Sequence, residues 1–450
     1  MEEEMEKNIV KITKLTVRKL HGHTDYNVEF NDDITFLYGD NGCGKTTILN
    51  IITYVITGKI YELFQYKFDR IILSYVSTKI QKSDKIIVSL DEEGMMTLSF
   101  DGEQVQIDSQ RFEYMNRNSD EPEEVERFYF SEYPILKNIR EVFNYIYLPL
   151  NRNGNVMIDY HYNMRSRKVM QSRYSTRNRM GNNIDYTLFD VESLISQAYN
   201  KVNFSLNRIS EHFTDEMLSA FLDVDNISNM PLIIEYMNSL NDTKINKIQR
   251  DYTNVVKTVL KYDSEMEAKI DTFFESLKEE ISNVKKLNNV QVTTDLLFKL
   301  SELTKITNII SKAEKIEQTK KKVRQPIEDF LNTVNSYIQS NNGEKQVGID
   351  SDGTIYLKTN QGNKVNIQNL SSGEKQIVTF FAYLIFGLQT SNQSIFIVDE
   401  PELSLHLNWQ RKFVDSILSI NDNVQLIFAT HAPEMIGRHR DKAVKLIPNS

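Results

Sequence analysis

Gly39-Asp40-Asn41-Gly42-Cys43-Gly44-Lys45-Thr46 decides how this chain is read. The stretch fits the pattern G-x-x-x-x-G-K-[ST]. It stands between a short apolar run, Ile34-Thr35-Phe36-Leu37-Tyr38, and a segment from Lys45 to Ile56 with apolar residues at helical spacing. Strand, glycine-rich loop, helix is the context a phosphate-cradling loop needs. Glycines let successive backbone N–H groups curl around phosphate oxygens, and the new helix adds the positive end of its dipole. Lys45 is then expected to reach the β- and γ-phosphates of ATP, and Thr46, followed by Thr47, to ligate Mg²⁺.

Further along, Ser394-Ile395-Phe396-Ile397-Val398-Asp399-Glu400 is an apolar strand ending in two acids. Asp399 is placed to hold Mg²⁺ through water next to Thr46, and Glu400 to polarise the attacking water. About 25 residues earlier lies Leu370-Ser371-Ser372-Gly373-Glu374-Lys375-Gln376, with a helix expected from its glycine. A chain that already has Lys45 needs no second phosphate-binding helix end for its own nucleotide. Ser371, Ser372 and Gly373 are therefore expected to close over the γ-phosphate held by a second copy. A plain helix N-cap, with Ser372 before Glu374, is the competing reading. His431, in Phe428-Ala429-Thr430-His431-Ala432-Pro433, ends the next strand and resembles a switch histidine, which implies contact with the γ-phosphate and positioning of water.

Around these motifs the chain divides in three. Residues 9–150 mix strands and helices. They include an alternating strand from Ile9 to Val17 and a meander in which Lys85–Leu90 and Met95–Phe100 flank a turn. Residues 151–340 hold a basic loop and then helical patterns, with stripes such as Val191, Leu194, Ile195 and Ala198 or Ile270, Phe274, Leu277 and Ile281. These helices read as too short and irregular for a long coiled coil. The basic cluster Lys320-Lys321-Lys322-Val323-Arg324 before Pro326 reads as a helix end. Residues 341–450 return to strands, and alternate apolar strands with helices as a doubly covered parallel sheet does. The fold class expected is α/β, a mixed sheet plus an antiparallel meander, split by a mainly α-helical insertion.

Composition sets outer limits. The chain has 450 residues, a net charge of -9 and one cysteine, Cys43. One cysteine builds no intramolecular disulfide, and no run of 18 apolar residues occurs, so a cytoplasmic protein without a membrane span is expected. An acidic balance argues against whole-surface nucleic-acid binding. It leaves room for a local contact. From His161 to Met180 there are six Lys/Arg residues and no acid: Arg165, Arg167, Lys168, Arg173, Arg177 and Arg179. This segment is a candidate DNA- or partner-binding loop, set against the reading of a solvated loop. A Q-loop of the kind such resemblances imply is not obvious; Tyr147–Arg152 falls where one might sit, with Asn151 as a weak substitute. Arg18 reads more readily as a solvated strand end than as a phosphate contact.

As a set, these motifs resemble ABC-type ATPase heads, over two blocks at 9–150 and 345–450. Pro401-Glu402-Leu403-Ser404-Leu405-His406 resembles the D-loop of SMC-like and overcoming-lysogenization-defect ATPases rather than that of membrane transporters. The resemblance implies a homodimer or higher oligomer with composite sites. It also implies Glu400, His431 and Lys45 as catalytic residues, and ATP with Mg²⁺ as ligands. The zinc-hook repair ATPases carry a very long coiled coil with Cys-x-x-Cys, which is absent here. A head of this size is similar to the ATPases of bacterial antiphage systems: PtuA of Septu, which works with an HNH nuclease, and AriA of PARIS, which holds a Toprim-like toxin. Lys/Asn/Ile-rich usage leans to Septu. On this reading a separate nuclease or toxin effector is the expected partner. A sensor scaffold with incidental turnover, a chromosome or repair ATPase, and a transporter subunit are the alternatives.

Overall fold

The computed structural model describes residues 10–77, 82–118, 122–149, 159–160, 186–222, 230–259, 263–286, 293–339, 345–387, 395–420 and 424–448. The basic segment around Arg165–Arg179 and Asn151 lie outside the described residues. The chain divides into two compact units, one of residues Met1–Ala198 with Asp329–Ser450, the other of Tyr199–Glu328.

The first unit is built on two six-stranded sheets. One is antiparallel: β1 (Val10–Leu20), β2 (Thr24–Glu29), β4 (Arg70–Ser77), β5 (Lys82–Leu90), β6 (Met95–Phe100) and β7 (Glu103–Asp108), in the order β2-β1-β4-β5-β6-β7. Its residues alternate buried and exposed, as in β4 and β6, so one face meets the core and the other meets water. The meander expected around Asp91–Gly94 is its β5–β6 hairpin.

The other sheet runs β15-β3-β14-β13-β8-β9, from β3 (Ile34–Tyr38), β8 (Tyr145–Pro149), β9 (Asp159–Tyr160), β13 (Ile395–Asp399), β14 (Gln425–Ala429) and β15 (Ala443–Lys445). All its pairings are parallel except β8 with β9. β13 and β14 are apolar along almost their whole length and buried, because both faces are covered. In register, Asp399 lies beside Ala429 of β14, which in turn lies beside Leu37 of β3. Three sequence-distant strand ends thus arrive at one edge.

Helix α1 (Lys45–Ile56) lies between the sheets. Ile48, Leu49, Ile52 and Val55 share one core with Leu15, Val17, Leu73 and Ile427. Gln425 clamps the two sheets together. This side chain is 1% exposed; its oxygen accepts the Ile12 N–H at 2.8 Å and its amide donates to the Ile12 and Asn31 carbonyls. A buried amide satisfied on both ends is a specific link and an expensive one to lose. A three-stranded antiparallel sheet, β10 (Lys345–Ile349), β11 (Ile355–Thr359) and β12 (Lys364–Asn366), completes the strands. Short helices α2 (Ser109–Asn118), α3 (Pro122–Glu132) and α4 (Pro134–Val142) lie between β7 and β8 in the chain.

The helical segment comprises α5 (Tyr186–Leu222), α6 (Met230–Ser239), α7 (Asp242–Val259), α8 (Ser264–Lys286) and α9 (Thr294–Ile338). Within the second unit Phe274, Leu277, Leu296, Leu300 and Leu303 are buried in one core. Two expectations are corrected. At 37 and 45 residues, α5 and α9 are long helices. Lys320–Arg324 is no helix end, because α9 continues through Pro326. Proline inside a helix costs about 3 kcal/mol. The apolar residues that follow, Ile327, Phe330, Val334 and Tyr337, are buried and offset it. No helix among the described residues is long and apolar enough to cross a membrane.

Candidate functional site

The loop Gly39–Thr46 leaves β3 and enters α1 with Gly39, Gly42 and Gly44 at φ 158°, 80° and 91°. Gly44, the N-cap of α1, has a left-handed backbone and no side-chain cap. A Cβ there would stand 2.7 Å from the Tyr26 hydroxyl, so only glycine fits. Tyr26, buried on β2, donates to the Cys43 carbonyl at 2.9 Å and so fixes the loop from the antiparallel sheet. Asp40, Asn41 and Gly42 form its exposed tip, and Cys43 is buried.

Lys45 is only 6% exposed. Its ammonium donates to the Gly39 carbonyl at 3.0 Å and the Asp40 carbonyl at 3.3 Å, and meets His431 Nδ1 at 3.4 Å. Lysine can only donate, so Nδ1 accepts and the imidazole proton sits on Nε2. That nitrogen faces Glu400 Oε1 at 3.9 Å. His431 is held by its backbone as well, its N–H donating to Glu402 Oε1.

At the end of β13 the Thr46 hydroxyl hydrogen-bonds to the Asp399 side chain. Burial pushes the Asp399 carboxyl up to about 6; Thr46 and Lys45 oppose the shift, and the charges of Glu400 and Glu402 add to it. Asp399 Oδ1 is buried with no hydrogen-bond partner. Glu400 has φ 50°, a left-handed conformation that non-glycine residues adopt at a cost of about 1–2 kcal/mol, and its N–H is anchored to the Ala429 carbonyl at 2.8 Å.

These features fit a divalent cation carried with a nucleotide. An unpaired, buried carboxylate oxygen beside a threonine hydroxyl is a hard-oxygen donor pair. Among the described residues no group of three or more His, Cys, Asp or Glu is arranged to hold a metal alone. Mg²⁺ takes one or two protein oxygens and completes its shell with phosphates and water, so a short donor set suffices.

Ser371–Gly373 opens α10 (Ser372–Ala382) one residue earlier than its glycine. Ser371, not Ser372, is the N-cap: its hydroxyl accepts the Glu374 N–H, and Glu374 accepts the Ser371 N–H at 2.7 Å. Glu374 also pairs with Lys345 at 3.4 Å. Gly373 is buried against the following loop, where a Cβ would meet the Ser404 carbonyl at 2.5 Å, and Gln376 donates to the Pro401 carbonyl. The capping reading and the exposed serines thus coexist. Among the described residues the hydroxyl and N–H of Ser371 are partnered by Glu374, not by the loop around Lys45.

The structure therefore brings Lys45, Thr46, Asp399, Glu400 and His431 together, and leaves Ser371 and Ser372 facing outward. Arg18 pairs with Asp25 at 2.6 Å and is solvated. Sequence reasoning misses Tyr26, Glu402 and Tyr147. The Tyr147 hydroxyl donates to Asn50 Oδ1 at 3.0 Å, one helical turn beyond Thr46, and burial with the Asp399 charge raises its pKa. A tyrosine on the strand beside β13 was the available signal.

The family described as "AAA ATPase domain" matches residues 11–436. The "Retron Vc95 probable ATPase" of Vibrio cholerae serotype O1 biovar El Tor is 30% identical over 95 residues, 19% of this chain and 18% of that protein. The "DNA double-strand break repair Rad50 ATPase" of Sulfolobus acidocaldarius is 27% identical over 171 residues, 36% of this chain and 19% of that protein. The chain thus spans less than a fifth of these relatives. Among solved structures, the Smc head domain of Pyrococcus furiosus bound to the C-terminal domain of ScpA superposes with a TM-score of 0.40 at 12% identity, over 95% of this chain and 91% of that one. The SMC head domain from Thermotoga maritima gives 0.37 at 11% identity, over 96% and 92%.

Proposed function

The chain belongs to the AAA ATPase domain family, and from that premise we propose that it binds and hydrolyses Mg-ATP at a site completed by a second copy, as SMC-like heads do. The observation that carries the proposal is the convergence of Lys45, Thr46, Asp399, Glu400 and His431 from three neighbouring strand ends.

The loop N–H groups from Gly39 to Thr46 bind the phosphates, and Lys45 exchanges its carbonyl partners for phosphate oxygens. Thr46 and Asp399 would hold Mg²⁺, which would supply positive charge to the bound phosphates. Glu400 accepts a proton from the attacking water, and His431 Nε2–H donates to the γ-phosphate or orients that water. Ser371, Ser372 and Gly373 of the second copy supply donors on the far side of the γ-phosphate. The exposure of both serines supports that role.

Coupling to a separate nuclease or toxin effector in phage defence, in the Septu manner, is the finer reading. It is supported by the D-loop Pro401–His406 and by the likeness to the retron ATPase of Vibrio cholerae. Glu400→Gln tests the whole. It is expected to lower turnover at least about 100-fold while leaving ATP binding intact. Full protection of cells from phage by that variant would instead make the protein a nucleotide-held scaffold.

A further inference from the structure

Glu402 belongs to the segment read as a D-loop, yet neither the sequence nor the chemistry above gives its side chain a task. Its two carboxylate oxygens have different surroundings. Oε1 accepts the His431 backbone N–H. Oε2 is buried with no hydrogen-bond partner, the same condition as Asp399 Oδ1. The two carboxylates are close enough for the charge of Glu402 to act on Asp399. A buried carboxylate oxygen without a donor is costly, and two such oxygens on the segment Asp399–Glu402 point to a donor that arrives from outside. Metal-bound water is such a donor: Mg²⁺ keeps several waters, whose protons are strongly polarised and whose lone pairs face the ion.

We propose that Glu402 is a positioning residue that ties the metal site to the switch histidine, with Oε1 fixing the backbone of His431 and Oε2 accepting a proton of water carried by the Mg²⁺ that Thr46 and Asp399 hold. This rests on the reading of the site as a Mg-ATP site. It deepens that reading by making the placement of His431 depend on whether the metal is there.

The two functions of the carboxylate separate in two variants. Glu402→Gln keeps an oxygen for the His431 N–H but turns an amide toward the water protons. Glu402→Ala removes both contacts. The first readout is binding of a fluorescent non-hydrolysable ATP analogue titrated with Mg²⁺ from an EDTA baseline. Both variants are expected to need about 10-fold more Mg²⁺ at the midpoint. The second readout is kcat at saturating Mg²⁺. It should stay within about 3-fold of the unmodified protein for Glu402→Gln and fall about 10-fold or more for Glu402→Ala. Unchanged Mg²⁺ midpoints in both variants, or an unchanged kcat in Glu402→Ala, would overturn the proposal. Should Glu402→Ala not fold, the near-isosteric Glu402→Gln still decides the metal link. Lys45→Ala separates the levels. If it binds the analogue normally, the reading of the site has failed; if it does not bind while both Glu402 variants match the unmodified protein, only the role of Glu402 has failed.

Discussion

Two helix starts in this molecule do opposite things with the same backbone chemistry. Every helix begins with N–H groups that lack an intrahelical partner. At α1 they are left open: Gly44 is the cap, it offers no side-chain acceptor, and no acid occupies the first turn. At α10 a capping box of Ser371 and Glu374, reinforced by Lys345, closes the Glu374 N–H and leaves those of Ser372 and Gly373 outside the box. The difference teaches which end is built for a ligand of its own subunit. Around α1 the unfavourable features accumulate: the unpaired Asp399 Oδ1, the left-handed Glu400, and Lys45 turned onto loop carbonyls. Around α10 Ser371 and Ser372 are exposed, and the strained position is Ser404, left-handed at φ 69° with its carbonyl against Gly373. One end is incomplete without an anion; the other is a finished surface that can be presented to a second molecule.

Removing the open end's cation should give the largest effect. Lys45→Ala is expected to weaken ATP binding about 1,000-fold, read by fluorescent-nucleotide titration. Binding within a few-fold of normal would contradict the reading of Gly39–Thr46 and Lys45 as the nucleotide site.

The second effect is on stability and has a definite sign. The folded-state pKa of Asp399, about 6, lies above its ordinary 3.8 because the carboxyl is buried. A raised pKa favours the folded state only while the group is protonated. Its contribution is present below about pH 4 and is lost as pH rises through 6. Asp399→Asn, which cannot ionise, should therefore stabilise the nucleotide-free protein at pH 8 by up to about 3 kcal/mol, with the gain vanishing by about pH 4. Denaturant unfolding at the two pH values checks this. A destabilised variant at pH 8 would show that the cost assigned to the open end is absent.

The closed end should respond less. Ser371→Ala removes the cap and is expected to cost about 1 kcal/mol of stability, with nucleotide binding by the isolated subunit unchanged. A loss of binding in the monomer would mean that Ser371 serves its own loop, contrary to the contrast drawn here.

Most of the site was legible because its parts are short and local. Gly39–Thr46, Asp399-Glu400 and His431 each sit at a strand end, and an apolar strand followed by a polar residue is visible in the chain itself. What stayed hidden depends on distant partners. Nothing near Glu402 in sequence says that it holds His431, and nothing near Gln425 says that it clamps Ile12. Tyr26 closes over Gly44 only because β2 packs there. The parallel sheet was readable from its apolar strands; α2 to α4 were passed over, although Ile135, Leu136 and Ile139 of α4 share one buried helical face. Pro326 misled for a clear reason: local propensity argues for a break, and burial of Phe330, Val334 and Tyr337 outweighs it.

The central claim is that the open end of one copy works with the closed end of another. Mixing two inactive variants tests it most directly: Lys45→Ala, which spoils the open end, and Ser371→Arg, which spoils the closed end. A mixed dimer contains one site with both defects and one with neither. With free exchange at equal amounts, about half of the dimers are mixed, so ATPase activity should return to about a quarter of the unmodified level. No recovery at any ratio, with subunit exchange demonstrated, would contradict the shared site.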